Sequence, residues 1–379
     1  MMTQIKNKIA WWLISLFSVT AVLVQIMDLT DDRMNMYKAL AGLICFAFGV
    51  LKCTNSLIRQ SITYGILMSV FMLLEILFIG NAKAVNILWI WAYIGPAILL
   101  FEFGFPRKYS FLLFYLISTY FTFLAFTGRI SVQEILTHGS INYISILSIF
   151  CMCLYYLSHR CEKAVTLPYI PVLLVMFLSI WTGSRASIIC CGIVFLLLLR
   201  INYQLSNSSS SKSWFFVFAA IIIVGAIWFG ERYIGMFDES LQYKMDKQGM
   251  DSARSILWGE YISGMFSNIG EFLFGVDGLS SKYPHLQYYN GNPHNSFLVL
   301  HAKYGIIGFI FIISRLYNSI VKSWKNRDSI MILLIVIAVV RCFFDWNAFP
   351  GLYDVLFWFI ILYGSKTPQL SPQVKQSII

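Results

Sequence analysis

The chain of 379 residues is 58% hydrophobic and only 12% charged, with a mean hydropathy of +0.71 and a formal net charge of +10. Soluble domains carry about 25% charged residues, so this composition excludes a soluble protein. Nor does the positive charge mark a nucleic-acid binder, because the Lys and Arg residues lie in short segments between apolar runs and form no patch.

Lys6 and Lys8 precede an apolar run that starts at Ala10. With no small-residue cleavage site behind it, the run reads as a retained first helix and not as a signal peptide. Further apolar runs match the hydrocarbon thickness of a bilayer. They predict about twelve transmembrane helices, near residues 10–27, 36–51, 62–79, 86–101, 110–126, 141–157, 168–181, 185–201, 214–230, 296–314, 329–346 and 350–364. The expected organisation is nine transmembrane helices in 1–230, a long polar loop containing short helices in 231–295, three more transmembrane helices in 296–364, and a tail in 365–379. The Ser-rich stretch from Ser206 to Ser213 reads as a linker.

Of the 28 Lys and Arg residues, sixteen flank the side that carries both termini, seven the opposite side, and five lie in the long loop. Basic residues favour the cytoplasm, so both termini are expected inside and the long loop outside. A transporter made of two six-helix halves would place its main connection inside, after the sixth span; here the large loop follows the ninth. No Cys-x-x-Cys pair occurs, and the eight cysteines read as small membrane hydrophobes.

Three places on the outer side carry candidate chemistry. In Thr182-Gly183-Ser184-Arg185-Ala186-Ser187, Thr182 or Ser184 can cap the next helix and Gly183 permits a tight turn. Arg185 then falls in a first helical turn, where the dipole favours an anion over a cation. Its position points to an anionic ligand, or to an arginine reaching the lipid headgroups. Next, Leu257, Trp258, Tyr261, Ile262, Met265 and Phe266 recur at helical spacing behind Asp251 as a cap, and Arg254 shares the face of Leu257 and Trp258. A phosphate would partner Arg254 there, as would a carboxylate such as Glu260 or Asp277. Finally, Asn292 as cap and Pro293 at the first helical position are expected to start the tenth span, placing His294 in its first turn. A neutral imidazole at that point can accept a hydroxyl proton, and Asn295 can orient a ligand. His301 reads as structural and His285 as a weaker candidate. Arg341 and Asp345, four apart at the end of the eleventh span, can pair or serve a ligand. Glu75 reads as a packing partner or part of a proton path. No Walker sequence, HExxH, GxSxG or Asp-x-Asp signature is present, which argues against ATP use, zinc hydrolysis and soluble-type nucleotide-sugar transfer.

Thr182-Gly183-Ser184-Arg185, Arg254-Ser255-Ile256-Leu257-Trp258, Phe274-Gly275-Val276-Asp277-Gly278, Pro293-His294-Asn295-Ser296-Phe297-Leu298 and Tyr304-Gly305-Ile306-Ile307-Gly308 follow one another in that order. Together they resemble the O-antigen polymerase and O-antigen ligase superfamily over roughly residues 165–315. Asp277 departs from the glycine-rich or small-residue turn frequent in that family. The resemblance implies an all-α integral membrane protein of GT-C type in the bacterial inner membrane, its long loop periplasmic. It implies a glycosyltransferase that takes undecaprenyl-diphosphate-linked oligosaccharide as donor, with no nucleotide or metal required. Arg185 and Arg254 would hold the diphosphate and His294 would activate the acceptor hydroxyl; Asn295, Trp258 and Arg341 are further substrate-binding candidates. Trp258, Tyr283, Tyr288 and Tyr289 are aromatics able to stack on sugars. Polymerase is the expected activity, ligase the alternative, and transport of a lipid-linked glycan a third. Inner-membrane lipids and a chain-length regulator are the expected partners.

Overall fold

The computed structural model describes residues 2–26, 32–127, 141–161, 166–205 and 253–365. They form fourteen α-helices and no strands. The helices are α1 Met2–Ile26, α2 Asp32–Lys52, α3 Asn55–Phe78, α4 Val85–Phe103, α5 Arg107–Thr127, α6 Asn142–Cys161, α7 Ile170–Trp181, α8 Arg185–Leu205, α9 Ala253–Met265, α10 Ile269–Phe274, α11 Pro284–Tyr288, α12 Ser296–Lys325, α13 Ser329–Phe343 and α14 Asp354–Ser365. Eight of them (α1–α6, α8 and α12) are long and apolar enough to cross a membrane, while α7, α13 and α14 are apolar but shorter. This is an all-α, multi-pass integral membrane protein. The span expected at 214–230 lies outside the described residues. Large apolar side chains point outward along the spans, among them Trp12, Leu16, Leu116, Phe123 and Leu196. In water such surfaces would drive association; against lipid they are the ordinary exterior.

The chain divides into two compact units, one of residues 1–106 with 252–379 and one of residues 107–251. In the first, α4 is central and packs against α1, α2, α3 and α14, while α12 packs against α3, α13 and α14. Lipid supplies no hydrophobic drive for helices to associate, so close backbone approach through small residues does much of the work. A Cβ on Gly42 would come within 2.1 Å of the Ala92 carbonyl oxygen, and one on Gly95 within 2.3 Å of the Gly42 carbonyl oxygen. Either glycine replaced by alanine would push α2 and α4 apart.

The second unit holds α5 to α8, in which α6 packs on α5 and α7, and α7 on α8. Nearly every α6 side chain from Ile144 to His159 is buried. Polar contacts inside it include the hydroxyl pair of Ser145 Oγ with Ser187 Oγ at 2.9 Å and the Asn202 carboxamide on the Leu167 backbone.

The described part of the long loop, 253–295, folds instead of wandering. Leu257 and Tyr261 of α9, Val276, Tyr283 and Leu286 form a small core with Ala302 of α12, and Trp258, Met265, Tyr289 and Leu298 pack around it. Fully burying side chains of this size stabilises by about 1.5–3 kcal/mol each. The expected apolar face of α9 is narrower than its periodicity suggests, because Ile262 and Phe266 are exposed. The loop also grips α12 at a kink. Gly305 adopts φ 64, and a Cβ there would lie 2.2 Å from the Leu273 carbonyl oxygen. Only glycine meets both demands at once.

Candidate functional site

The start of α12 differs from the expected one. The helix begins at Ser296, and its N-cap is Asn295, whose Oδ1 accepts the Phe297 and Leu298 N–H groups at 2.9 and 3.2 Å. Asn292 is not the cap; its Oδ1 accepts the His294 N–H at 2.8 Å. His294 therefore stands outside the helix, in the left-handed region at φ 51. A non-glycine residue held there costs free energy that surrounding structure must offset, a pattern concentrated at functional sites. The Asn295 side chain is buried and its oxygen is committed to the cap, which leaves it poorly placed to orient a ligand.

What braces His294 comes from far along the chain. Its Nδ1 lies 3.6 Å from Asp345 Oδ1, within ion-pair reach though longer than a formed hydrogen bond. The other carboxylate oxygen of Asp345 faces Arg341 Nη2 at 3.4 Å. The turn carrying Asp345 is bolted to the start of α12 through Ser296. Its Oγ donates to the Asp345 carbonyl at 2.7 Å and accepts the Asn347 and Ala348 N–H groups at 2.9 and 3.2 Å. The Ser296 N–H also donates to the Asp345 carbonyl. Burial pushes the Asp345 carboxyl up, but His294, Arg341 and Arg254 outweigh it and hold the group below the usual aspartate range. Arg341 is wholly buried, and neither its Nε nor its Nη1 meets an acceptor among the described residues. The pairing of Arg341 with Asp345 read from the sequence is present; the partnership of Asp345 with His294 had no sequence signal across their separation.

Helix α9 contributes from a second direction. Trp258 Nε1 donates to the Pro293 carbonyl at 2.8 Å, and its ring meets Phe343 edge-on with centroids 5.4 Å apart. Arg254 precedes Trp258 by one helical turn, so this contact aims its face at the His294 turn. The field of Arg254 at Asp345 fits that placement. Glu260 is not its partner. Glu260 receives the His285 ring nitrogen together with the Leu286 N–H at 2.9 Å. Its slight burial would raise the carboxyl, but these contacts prevail and hold it below the usual glutamate range. Asp277 Oδ1 accepts the Leu279 N–H at 3.2 Å inside its own turn.

The remaining candidates separate cleanly. Tyr283 belongs to the loop core and donates to Glu271 Oε2 at 2.8 Å, so it is no sugar platform. Tyr288 is 81% exposed, and Tyr289 meets the His294 ring edge-on at 5.5 Å. His301 is structural: its Nδ1 faces the Tyr261 hydroxyl at 2.8 Å and its Nε2 the Phe272 carbonyl at 2.9 Å. Glu75 accepts the Asn81 and Ala82 N–H groups, both at 2.9 Å.

In the second unit, Arg185 is the first residue of α8 and is exposed. The turn before it follows its sequence, with Gly183 at φ 60. The hydroxyls act differently from the expected caps. Thr182 Oγ1 donates back to the Leu178 carbonyl at 2.9 Å, closing α7, and Ser184 Oγ donates to Ser187 Oγ at 2.9 Å.

Residues 170–313 match the family model described as O-Antigen ligase. This match, which runs from α7 into α12 and contains Arg185, Arg254 and His294, supports the O-antigen polymerase and ligase superfamily. No curated protein and no solved structure matches the chain.

Proposed function

From a chain of the O-antigen polymerase and ligase superfamily, we propose an O-antigen polymerase that joins undecaprenyl-diphosphate-linked oligosaccharide repeat units into long-chain polysaccharide. The observation that carries this reading is the pair of His294 and Asp345 at one turn, a base and its brace, with the charge of Arg254 acting on the Asp345 carboxylate. Both termini lie in the cytoplasm, and residues 231–295 form the periplasmic face on which the reaction runs.

The chemistry follows from the residue types. With Asp345 on the Nδ1 side of the ring, Nε2 is the nitrogen left to face the acceptor. The acceptor sugar's hydroxyl gives its proton to Nε2 as its oxygen attacks the anomeric carbon of the donor. The bond from that carbon to the diphosphate oxygen breaks, and undecaprenyl diphosphate leaves. Arg254 stabilises the charge that develops on the diphosphate. Arg185, described apart from that group, carries the same assignment from the family resemblance. Arg341 is too buried to touch substrate, and its part is to position Asp345. Trp258 holds the Pro293 carbonyl and so fixes the turn that presents His294.

The ligase reading shares this donor chemistry and differs only in the acceptor; the description of the matching family favours it as the second choice. Lipopolysaccharide from a deletion strain separates the two. Loss of a polymerase leaves core carrying one repeat unit, whereas loss of a ligase leaves bare core with lipid-linked polymer. Returning Arg185→Ala, Arg254→Ala and His294→Ala on plasmids should restore no polymer although each protein is folded. Wild-type ladders from all three would end the assignment. Movement of lipid-linked glycan across vesicles without any joining would favour transport instead.

A further inference from the structure

The exposed surface of the folded loop divides in two. Along residues 277–290 the chain carries Asp277, Lys282 and His285, and Lys282, His285 and Gln287 are exposed. Along residues 261–270 no side chain is charged, and the exposed polar groups there, Ser263, Ser267 and Asn268, are neutral. Ile262, Phe266 and Ile269 stand out among them, with Phe266 69% and Ile269 74% exposed. Large apolar side chains clustered on a surface mark a place that meets protein or membrane.

This edge continues the outside of two spans. Ile66, Val70, Leu73 and Leu77 are exposed along one helical face of α3, which ends at Phe78. Phe78 stacks on Phe274, the last residue of α10, with ring centroids 4.3 Å apart. Phe272, also on α10, meets the Phe266 ring at 6.0 Å, so the aromatic contacts run from the end of α3 to the edge. On α12, Ile307 and Ile310 are exposed within two turns after Gly305, the kink against which Leu273 closes. Helix α10 thus packs on α3 and α12 at the level where their lipid-facing surfaces end. Length agrees. The 30 residues of α12 span about 45 Å, against a hydrocarbon core of about 30 Å. Part of α12 must stand outside the hydrocarbon, and the loop packs on its first third, at Ala302 and Gly305.

We propose that Ile262, Phe266 and Ile269 form a membrane-seating edge. The segment from α9 to α10 lies in the interface of the adjoining leaflet, with these three side chains among the lipid acyl chains and residues 277–290 facing water. The partner is bilayer lipid, because the edge is continuous with the exteriors of α3 and α12 and bears no charge. Helix α9 also carries Trp258, which holds the Pro293 carbonyl. The element that meets lipid at one end therefore braces the His294 turn at the other.

The test is power-saturation electron paramagnetic resonance on the full chain in nanodiscs of phosphatidylethanolamine and phosphatidylglycerol. A nitroxide is attached to Phe266→Cys, Ile269→Cys or Lys282→Cys, all exposed positions outside the loop core. The unmutated chain, labelled in parallel, supplies the background from native thiols such as the half-buried Cys53. Oxygen, which concentrates in lipid, should relax the labels at 266 and 269 more than a water-soluble nickel chelate does. Their ratio should report a depth of about 5–10 Å below the headgroup boundary, and at 282 the order should reverse. Nickel-dominated relaxation at both 266 and 269 would put the edge in water and overturn the proposal. Shielding of both labels from both reagents would overturn it too, since a second copy or another protein segment would then cover the edge.

Discussion

Two helix starts present the candidate residues, and they do so by different means. At α8 the turn is mostly local: Thr182 bonds back to Leu178 and Ser184 to Ser187, which also reaches Ser145 of α6, while Arg185 is exposed. At α12 the residue itself is under constraint. His294 is held at positive φ by Asn292, faced by Asp345, and backed by a turn that Trp258 holds through Pro293. An exposed arginine needs reach more than placement, because a guanidinium can meet a diphosphate from many angles. The role proposed for His294 needs its ring aimed, and its partners come from other segments.

That contrast can be broken experimentally. The largest effect is expected at Asp345→Asn, which keeps the shape but removes the carboxylate that aims His294. We predict a loss of glycan-joining rate of about 100-fold, with substrate affinity little changed. An unaltered rate would reduce Asp345 to a structural ion pair. Next, Leu257→Ala removes the centre of the loop core and should destabilise the protein by about 2–5 kcal/mol, read as a lower melting temperature in detergent. Asn295→Ala and Trp258→Phe should each cost about 1 kcal/mol, the first through the lost cap and the second through one hydrogen bond. Ser184→Ala, at the more local turn, should cost no more than about 0.5 kcal/mol. If Ser184→Ala proves as costly as Asn295→Ala, the two starts are built alike and the contrast fails.

Acidity gives a further handle on the braced start alone. The folded Asp345 carboxyl titrates below its ordinary value of about 3.9. Its stabilising contribution is therefore complete above about pH 4 and disappears as pH falls through the lowered folded value. Melting temperature should drop in that window for the wild-type chain and drop less for Asp345→Asn. Identical profiles would show that the carboxylate contributes nothing to stability.

The helices and the order of the motifs were legible because hydropathy and spacing are properties of neighbouring residues. Leu257 and Trp258 already announced the inner face of α9, and Gly183 its turn. Ile262 and Phe266 misled, since a helix lying at an apolar boundary can leave large side chains outside a core. Pro293 misled for another reason. A proline after an asparagine resembles a helix start, yet the next asparagine makes the better cap, and the shift frees His294 from the helix. Ser296 offered no sign of its role at all. Its partners, Asp345 to Ala348, are neighbours only after α12 and α13 fold back on each other.

The order of the chain within the first unit has a consequence for how the protein is made. Helices α1 to α4 emerge first, but α4 finds its neighbour α14 only after the whole of residues 107–251 has been synthesised. The brace on His294 likewise waits for residue 345. Contacts closed across such distances form late and slowly, so the nascent chain carries Arg185 and Arg254 long before His294 meets Asp345. The contacts that hold this turn are thereby complete only once the segment after α13 has been made.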